Sequence, residues 1–152
     1  MKPKPKLKSI PAINRRLLKL AKDICRKNAN ETCEVCGLKK GDLYKGKPQK
    51  VEAHHVMSCK NLNSPLKFDL RNLVCIDTFH HKGGRRSAHK HGLWFAKWLI
   101  EHKPENAQWI IDHTDDQVDL KDRKILEYIE KCLKEGKPLD FNPDQMINSS
   151  NE

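Results

Sequence analysis

Between Cys33 and His89 the chain concentrates metal-ligating side chains more densely than packing alone requires. Five of its eight histidines and four of its six cysteines fall in this stretch. It opens with Cys33-Glu34-Val35-Cys36-Gly37 and continues through Glu52-Ala53-His54-His55-Val56. It then runs through Asn72-Leu73-Val74-Cys75-Ile76-Asp77-Thr78-Phe79-His80-His81 and closes with Ser87-Ala88-His89. Soft and borderline donors at this density point to a first-row transition metal, zinc above all. The flanking segments then serve as scaffold and electrostatics.

Charge and cysteine usage narrow the class further. Of 152 residues 33% are charged, so the apolar core is small for the length. Small cores are often stapled by disulfides or metal. The start, Met1-Lys2-Pro3-Lys4-Pro5-Lys6-Leu7-Lys8, is basic but has no apolar signal region, and no apolar run approaches membrane-spanning length. The expectation is a cytoplasmic, reducing location without a membrane partner, where Cys-x-x-Cys with histidines means metal before disulfide. Lys+Arg 30 against Asp+Glu 20 gives a net charge of +10. Nucleic acid is the expected partner; the plainer alternative is that lysines solvate a small protein.

Taken in order, residues 1–9 alternate Lys and Pro, an extended arm able to lie along phosphates. From Pro11, Ile13, Leu17, Leu20 and Ile24 recur at helical spacing, with Ser9 or Asn14 as cap and Asn28-Ala29-Asn30 as the end. Arg15, Arg16, Lys19, Lys22, Arg26 and Lys27 cover the other face, and Cys25 reads as a core residue. Cys33-x-x-Cys36-Gly37 reads as a zinc knuckle; the competing redox motif wants a strand before it and a helix after it. Gln49 to Met57 reads as a strand. Neighbouring residues of a strand face opposite ways, so His54 and His55 serve one site only if the chain twists or ends there, or if one holds metal while the other addresses substrate. Ser58 to Asp69 is a loop, with Asn61, Asn63, Ser64 and Pro65 as turn formers and Cys59 exposed and idle. A short strand Leu73 to Ile76 follows, then a bent, His-rich turn interrupted by Gly83-Gly84. Helices are expected at Leu93 to Ile100, after Pro104, and from about Asp119 to Glu135 with Gly136 as stop. The tryptophans serve core packing before base stacking, and the end, from Pro138 to Glu152, is loose.

A knuckle, a strand with His-His, an Asn, a second strand and a His-rich turn into a helix, in that order, resemble the HNH family of nucleases. The likeness covers about residues 31–95, and Asn72-Leu73-Val74-Cys75 with Ser87-Ala88-His89 and Trp94-Phe95 is also similar to small phage- or prophage-encoded members. It implies an α+β fold: a ββα-metal, treble-clef-like core with flanking N-terminal and C-terminal helices. The division expected is 1–30 for the basic arm and amphipathic helix, 31–100 for the nuclease core, and 101–152 for a helical extension with its loose tail. The implied activity is metal-dependent hydrolysis of phosphodiester bonds in DNA, duplex DNA being the expected partner, with one catalytic divalent ion (Mg, Mn, Ni or Zn) and a structural zinc.

Residue by residue, the resemblance makes His54 a catalytic-metal ligand and His55 the general base, whose ordinary pKa near about 6.5 suits neutral pH. Asn72 matches the family's central Asn, which holds the intervening loop. His81 stands in place of the final histidine, and His89 is a further ligand, with His80 and His91 as substitutes. Arg85, Arg86 and Lys82 would clamp neighbouring phosphates, and Arg15 and Arg16 would grip the backbone. Where many members carry a second Cys-x-x-Cys, this chain has Asp77 and His80. Both are competent zinc ligands, so Cys33, Cys36, Asp77 and His80 form the expected closed site, with Cys75 as substitute for Asp77. The alternative is a zinc site replaced by packing. His102 and His113 are expected to be solvated. The rival function is a non-catalytic, zinc-stabilised module that binds nucleic acid; a thiol redox protein is the remote third.

Overall fold

The computed structural model describes residues 8–59 and 63–142. Most of the Lys/Pro arm, Asn61 of the turn formers, and the tail from 143 onward lie outside the described residues.

Helix α1 (Ile10–Asn28) buries Leu17, Ala21 and Cys25, one residue per turn of a single face. Pro11 sits in its first turn, where no backbone N–H is needed. Neither proposed cap uses its side chain as one. Ser9 holds the cap position without a side-chain bond. Asn14 lies inside the helix, where its Nδ2 donates to the carbonyls of Ile10 and Leu120, both at 3.1 Å.

The stretch after the knuckle contains a small hairpin. Strands β1 (Leu43–Tyr44) and β2 (Lys47–Pro48) join through Lys45 and Gly46, both at positive φ, the geometry that two-residue hairpins favour. The main pair is β3 (Val51–His55) and β4 (Leu73–Asp77), antiparallel, with Ala53 opposite Cys75 and His54 opposite Val74. A two-stranded sheet is marginal alone. Here it is covered on both sides, and all five residues of β4 are buried. Leu73 and Cys75 join a cluster with α1 and with Ile125, Leu126 and Ile129 of α4 (Arg123–Glu135). Val74 and Ile76 join a second cluster with Phe95, Trp98 and Leu99 of α2 (Gly92–His102) and Ile110 of α3 (Pro104–Asp112). The sheet is the middle layer of an α+β molecule.

Helix α4 starts later than the sequence suggests. Its cap is Asp122, whose carboxylate accepts from the Lys124 amide at 2.8 Å, while Asp119 caps the preceding turn by accepting from Lys121. Both aspartates satisfy the same local rule, and the turn between them decides which opens the helix. Gly136, at φ 66°, ends it in the left-handed conformation. Among the described residues no helix is long and apolar enough to cross a membrane.

Candidate metal centre

The first donor group is assembled at the far end of β4. The knuckle is closed by hydrogen bonds from the Gly37 amide to the Cys33 carbonyl and from the Cys33 amide to the Leu38 carbonyl, each 2.8 Å. Gly37 takes φ 78°, which a side chain would resist. The knuckle is fastened to β4 at Cys75: the Glu34 amide donates to the Cys75 carbonyl, and the Cys75 amide donates to the Glu34 carboxylate at 2.7 Å. After Asp77 the chain enters a π turn, Phe79–Gly83. Asp77 Oδ1 accepts from the His80 amide at 2.7 Å, while Oδ2 lies 3.1 Å from both Cys36 Sγ and His80 Nδ1. His80 Nδ1 is 3.8 Å from Cys33 Sγ. One ligand atom from each of Cys33, Cys36, Asp77 and His80 lies within 4.8 Å of all the others. Tetrahedral zinc with arms of about 2.0–2.3 Å needs ligand separations of about 3.3–3.8 Å, so small adjustments close the site.

Its electrostatics suit a cation. Burial raises the Cys33 thiol, but the hydrogen bond with His80 and the backbone amides around it bring it below its ordinary value. Burial, with Asp77 and Cys33 adding to it, pushes Cys36 up to about 12. Bonding to Cys33 raises His80 against the effect of burial, with Asp77 assisting. Cys33 is thus the thiol of the pair more readily deprotonated, and a divalent ion at the four donors would favour loss of the remaining protons.

The second group gathers His54, His81 and His89, again within 4.8 Å of one another. His54 projects from β3, its ring centroid 4.9 Å from that of His81 and 5.2 Å from that of His89. The eight-residue gap between His81 and His89 is bridged by a return of the chain: the Ala88 amide donates to the His80 carbonyl at 2.7 Å and the His89 amide to the His81 carbonyl at 3.1 Å. Gly84 permits this return, since a Cβ there would stand 2.5 Å from the Phe79 ring. His81 Nδ1 is 2.5 Å from Glu52 Oε2. A carboxylate only accepts, so the proton sits on Nδ1 and the Nε2 lone pair is free. That Nε2 lies 3.0 Å from Nε2 of His89, two ring nitrogens converging on one point. Burial, followed by the neighbouring His81 and His89, lowers His54 to about 4, leaving it neutral and able to ligate at pH 7.

A cleft of about 430 Å³ adjoins this group and is lined by His54, His55, His81 and His89 together with Lys22 and Lys67. Strand β3 ends at His55, so two side chains of opposite direction reach one cleft. His55 Nε2 is 3.0 Å from the Lys67 carbonyl. A carbonyl only accepts, so Nε2 carries the proton and Nδ1 is the basic nitrogen. Burial lowers His55, opposed by the Lys67 carbonyl, so the ring is neutral at pH 7. Asn72, fully buried, ties the loop behind the cleft: its Oδ1 accepts from the Met57 amide at 2.8 Å, and its Nδ2 donates to the carbonyls of Met57 and Leu66.

Two expectations about cysteines need correction, and the other predicted residues are placed as follows. Cys59 is buried, donating its thiol to the Met57 carbonyl and accepting from Asn72, because Asn72 draws the loop inward. Cys75 packs in the α1 cluster, outside both donor groups; the carboxylate that meets the knuckle is at Asp77, where the strand ends. Arg16 forms a two-pronged ion pair with Glu130 of α4 at 2.6 Å per contact, so its guanidinium is occupied within the fold. Arg15, Lys82, Arg85 and Arg86 are exposed, and none lines the cleft. His91 caps α2 through the Trp94 amide, and His102 and His113 donate to the carbonyls of Trp98 and Trp109 at the ends of their helices. Three residues escaped the sequence reading as site members: Glu52, behind His81, and the cleft-lining Lys22 and Lys67. Glu52 was signalled only by sharing a strand face with His54. Lys22 and Lys67 looked like any other surface lysine.

No family model, curated protein or solved structure matches the chain. What the two groups can do follows from their donors and neighbours.

Proposed function

We propose that this chain is a metal-dependent endonuclease of the HNH type, which hydrolyses phosphodiester bonds in DNA. Its ββα-metal core would be β3, β4 and α2, with the Cys33-Cys36 knuckle as a treble-clef-like zinc brace. The observation that carries the reading is that His54, His81 and His89 converge beside a cleft that also holds His55, neutral and oriented by a backbone carbonyl. Three imidazoles without a thiolate leave coordination positions open, as hydrolytic sites require.

A divalent ion held by His54, His81 and His89 would supply neutralisation of charge on the phosphate and its leaving oxygen. His55 takes the proton of the attacking water at Nδ1, the nitrogen left free by its bond to Lys67. Asn72 keeps the loop bearing Lys67 in place, and so keeps the base aimed. Glu52 fixes the His81 tautomer that offers Nε2. Cys33, Cys36, Asp77 and His80 would hold zinc and brace the turn from which His81 projects. Family likeness implies 3′-hydroxyl and 5′-phosphate ends.

Relaxation of supercoiled plasmid in Mg, Mn or Ni, with an EDTA control, tests the activity. His55→Ala is expected to lose about 10²–10⁴-fold in nicking rate, the usual worth of a general base, with metal content and fold intact. Unchanged nicking would remove the assigned base. Binding of DNA without cleavage under every divalent ion would point instead to a zinc-stabilised nucleic-acid-binding module.

A further inference from the structure

The cleft contains two lysines whose placement differs from that of the other basic residues. Lys22 comes from α1, outside the expected nuclease core, and Lys67 from the 3-10 turn Pro65–Lys67 within the β3–β4 loop. Both are half-buried. Among the described residues neither ammonium has a carboxylate partner. Lys67 Nζ lies over the Phe68 ring, 5.6 Å from its centroid, a weak contact. Among the described residues no Asp or Glu lines the cleft, whose walls also include apolar Leu18 and Ala53. Low-dielectric walls strengthen the field of unpaired charges between them. Two half-buried lysines lining one cleft with no carboxylate paired to either leave their positive charge for an anion in the cleft to meet.

We propose that Lys22 and Lys67 form a phosphate subsite that holds the nucleic-acid backbone beside the phosphate to be cleaved. The proposal rests on the endonuclease reading for its substrate and departs from the sequence expectation, which gave the clamp to Lys82, Arg85 and Arg86. It makes α1 a wall of the site as well as a scaffold. Lys67 then has two parts: its carbonyl orients His55, and its ammonium engages the strand that His55 serves.

The test is fluorescence anisotropy of a short labelled DNA duplex with the full chain, zinc-loaded and without Mg or Mn, over a range of salt. Lys22→Gln and Lys67→Gln are each expected to weaken binding about 10-fold at low salt and to reduce the slope of log K against log salt by about 0.9, one phosphate contact each. Lys22→Arg should restore the slope, and matched thermal midpoints show that the fold is retained. Wild-type affinity and slope in the Lys22→Gln/Lys67→Gln double variant overturn the subsite. So does loss confined to Arg85→Gln/Arg86→Gln, or a wild-type chain that does not bind the duplex. Lysine-dependent binding without nicking would leave the subsite standing while the endonuclease reading fails. Nicking with lysine-independent binding would do the reverse.

Discussion

Asn72 keeps no solvent-exposed surface, so protein must meet every polar atom it carries. It bonds to the Met57 amide and to the carbonyls of Met57 and Leu66, joining both ends of the loop between β3 and β4. Asn72→Ala leaves the Met57 amide and the Leu66 carbonyl unmet, the Met57 carbonyl keeping the Cys59 thiol, at about 1–3 kcal/mol each. The expected cost is about 3 kcal/mol or more, read as a lower urea midpoint, and a midpoint equal to wild type would mean that the loop is held by something else. The Cys-x-x-Cys and the paired histidines were legible in the sequence because their chemistry is typed and has few structural uses, whereas Asn72 was singled out only through the family resemblance. Glu52 was not legible, because its role is defined by His81, 29 residues further on. Cys59 was misjudged for the same reason; a thiol in a polar loop gives no sign that an asparagine will pull it inside.

Helix α1 meets α4 through Leu17, Ala21 and Cys25 below and through the Arg16–Glu130 pair at the rim. The hydrogen bond from Arg16, with Lys134 assisting, lowers Glu130 to about 2. The ordinary glutamate value is near about 4.3, so between there and about 2 the unfolded chain binds a proton that the folded chain refuses. This contribution is therefore complete above that window and is lost as pH falls through it. The pair is partly exposed and screened by salt, and its worth is about 0.2–1 kcal/mol. Acid unfolding of Glu130→Gln against wild type should differ at pH 6 and converge near pH 2, and a constant gap across the range would contradict the assignment. The helices themselves were readable from periodicity. Their rims were not, because a basic face looks the same whether its arginines meet DNA or another helix. The π turn was likewise invisible: Gly83-Gly84 announces a break, but the closeness of Gly84 to the Phe79 ring depends on how the chain returns.

The molecule as a whole is a two-stranded sheet between two helical layers, with one donor group at the knuckle end and the other beside the cleft. His80 and His81 are neighbours on one π turn yet belong to different groups, so whatever orders that turn orders both. The knuckle is fastened to β4 at Cys75 by one backbone bond and one bond to the Glu34 carboxylate, leaving an ion at Cys33, Cys36, Asp77 and His80 to complete the join. A ligand that binds only the folded chain stabilises it by mass action, about 2.7 kcal/mol at one hundred times its dissociation constant. For a chain of this size that corresponds to a midpoint rise of about 5–11 °C. Thermal melts of chelator-treated protein with and without added zinc should show this shift. In Cys33→Ser/Cys36→Ser most of it should vanish, whereas in His54→Ala/His89→Ala most should remain, because the thiolate site is the closed and tighter one. If the histidine variant abolishes the shift and the cysteine variant keeps it, the bracing metal belongs beside the cleft, and the knuckle holds by packing alone.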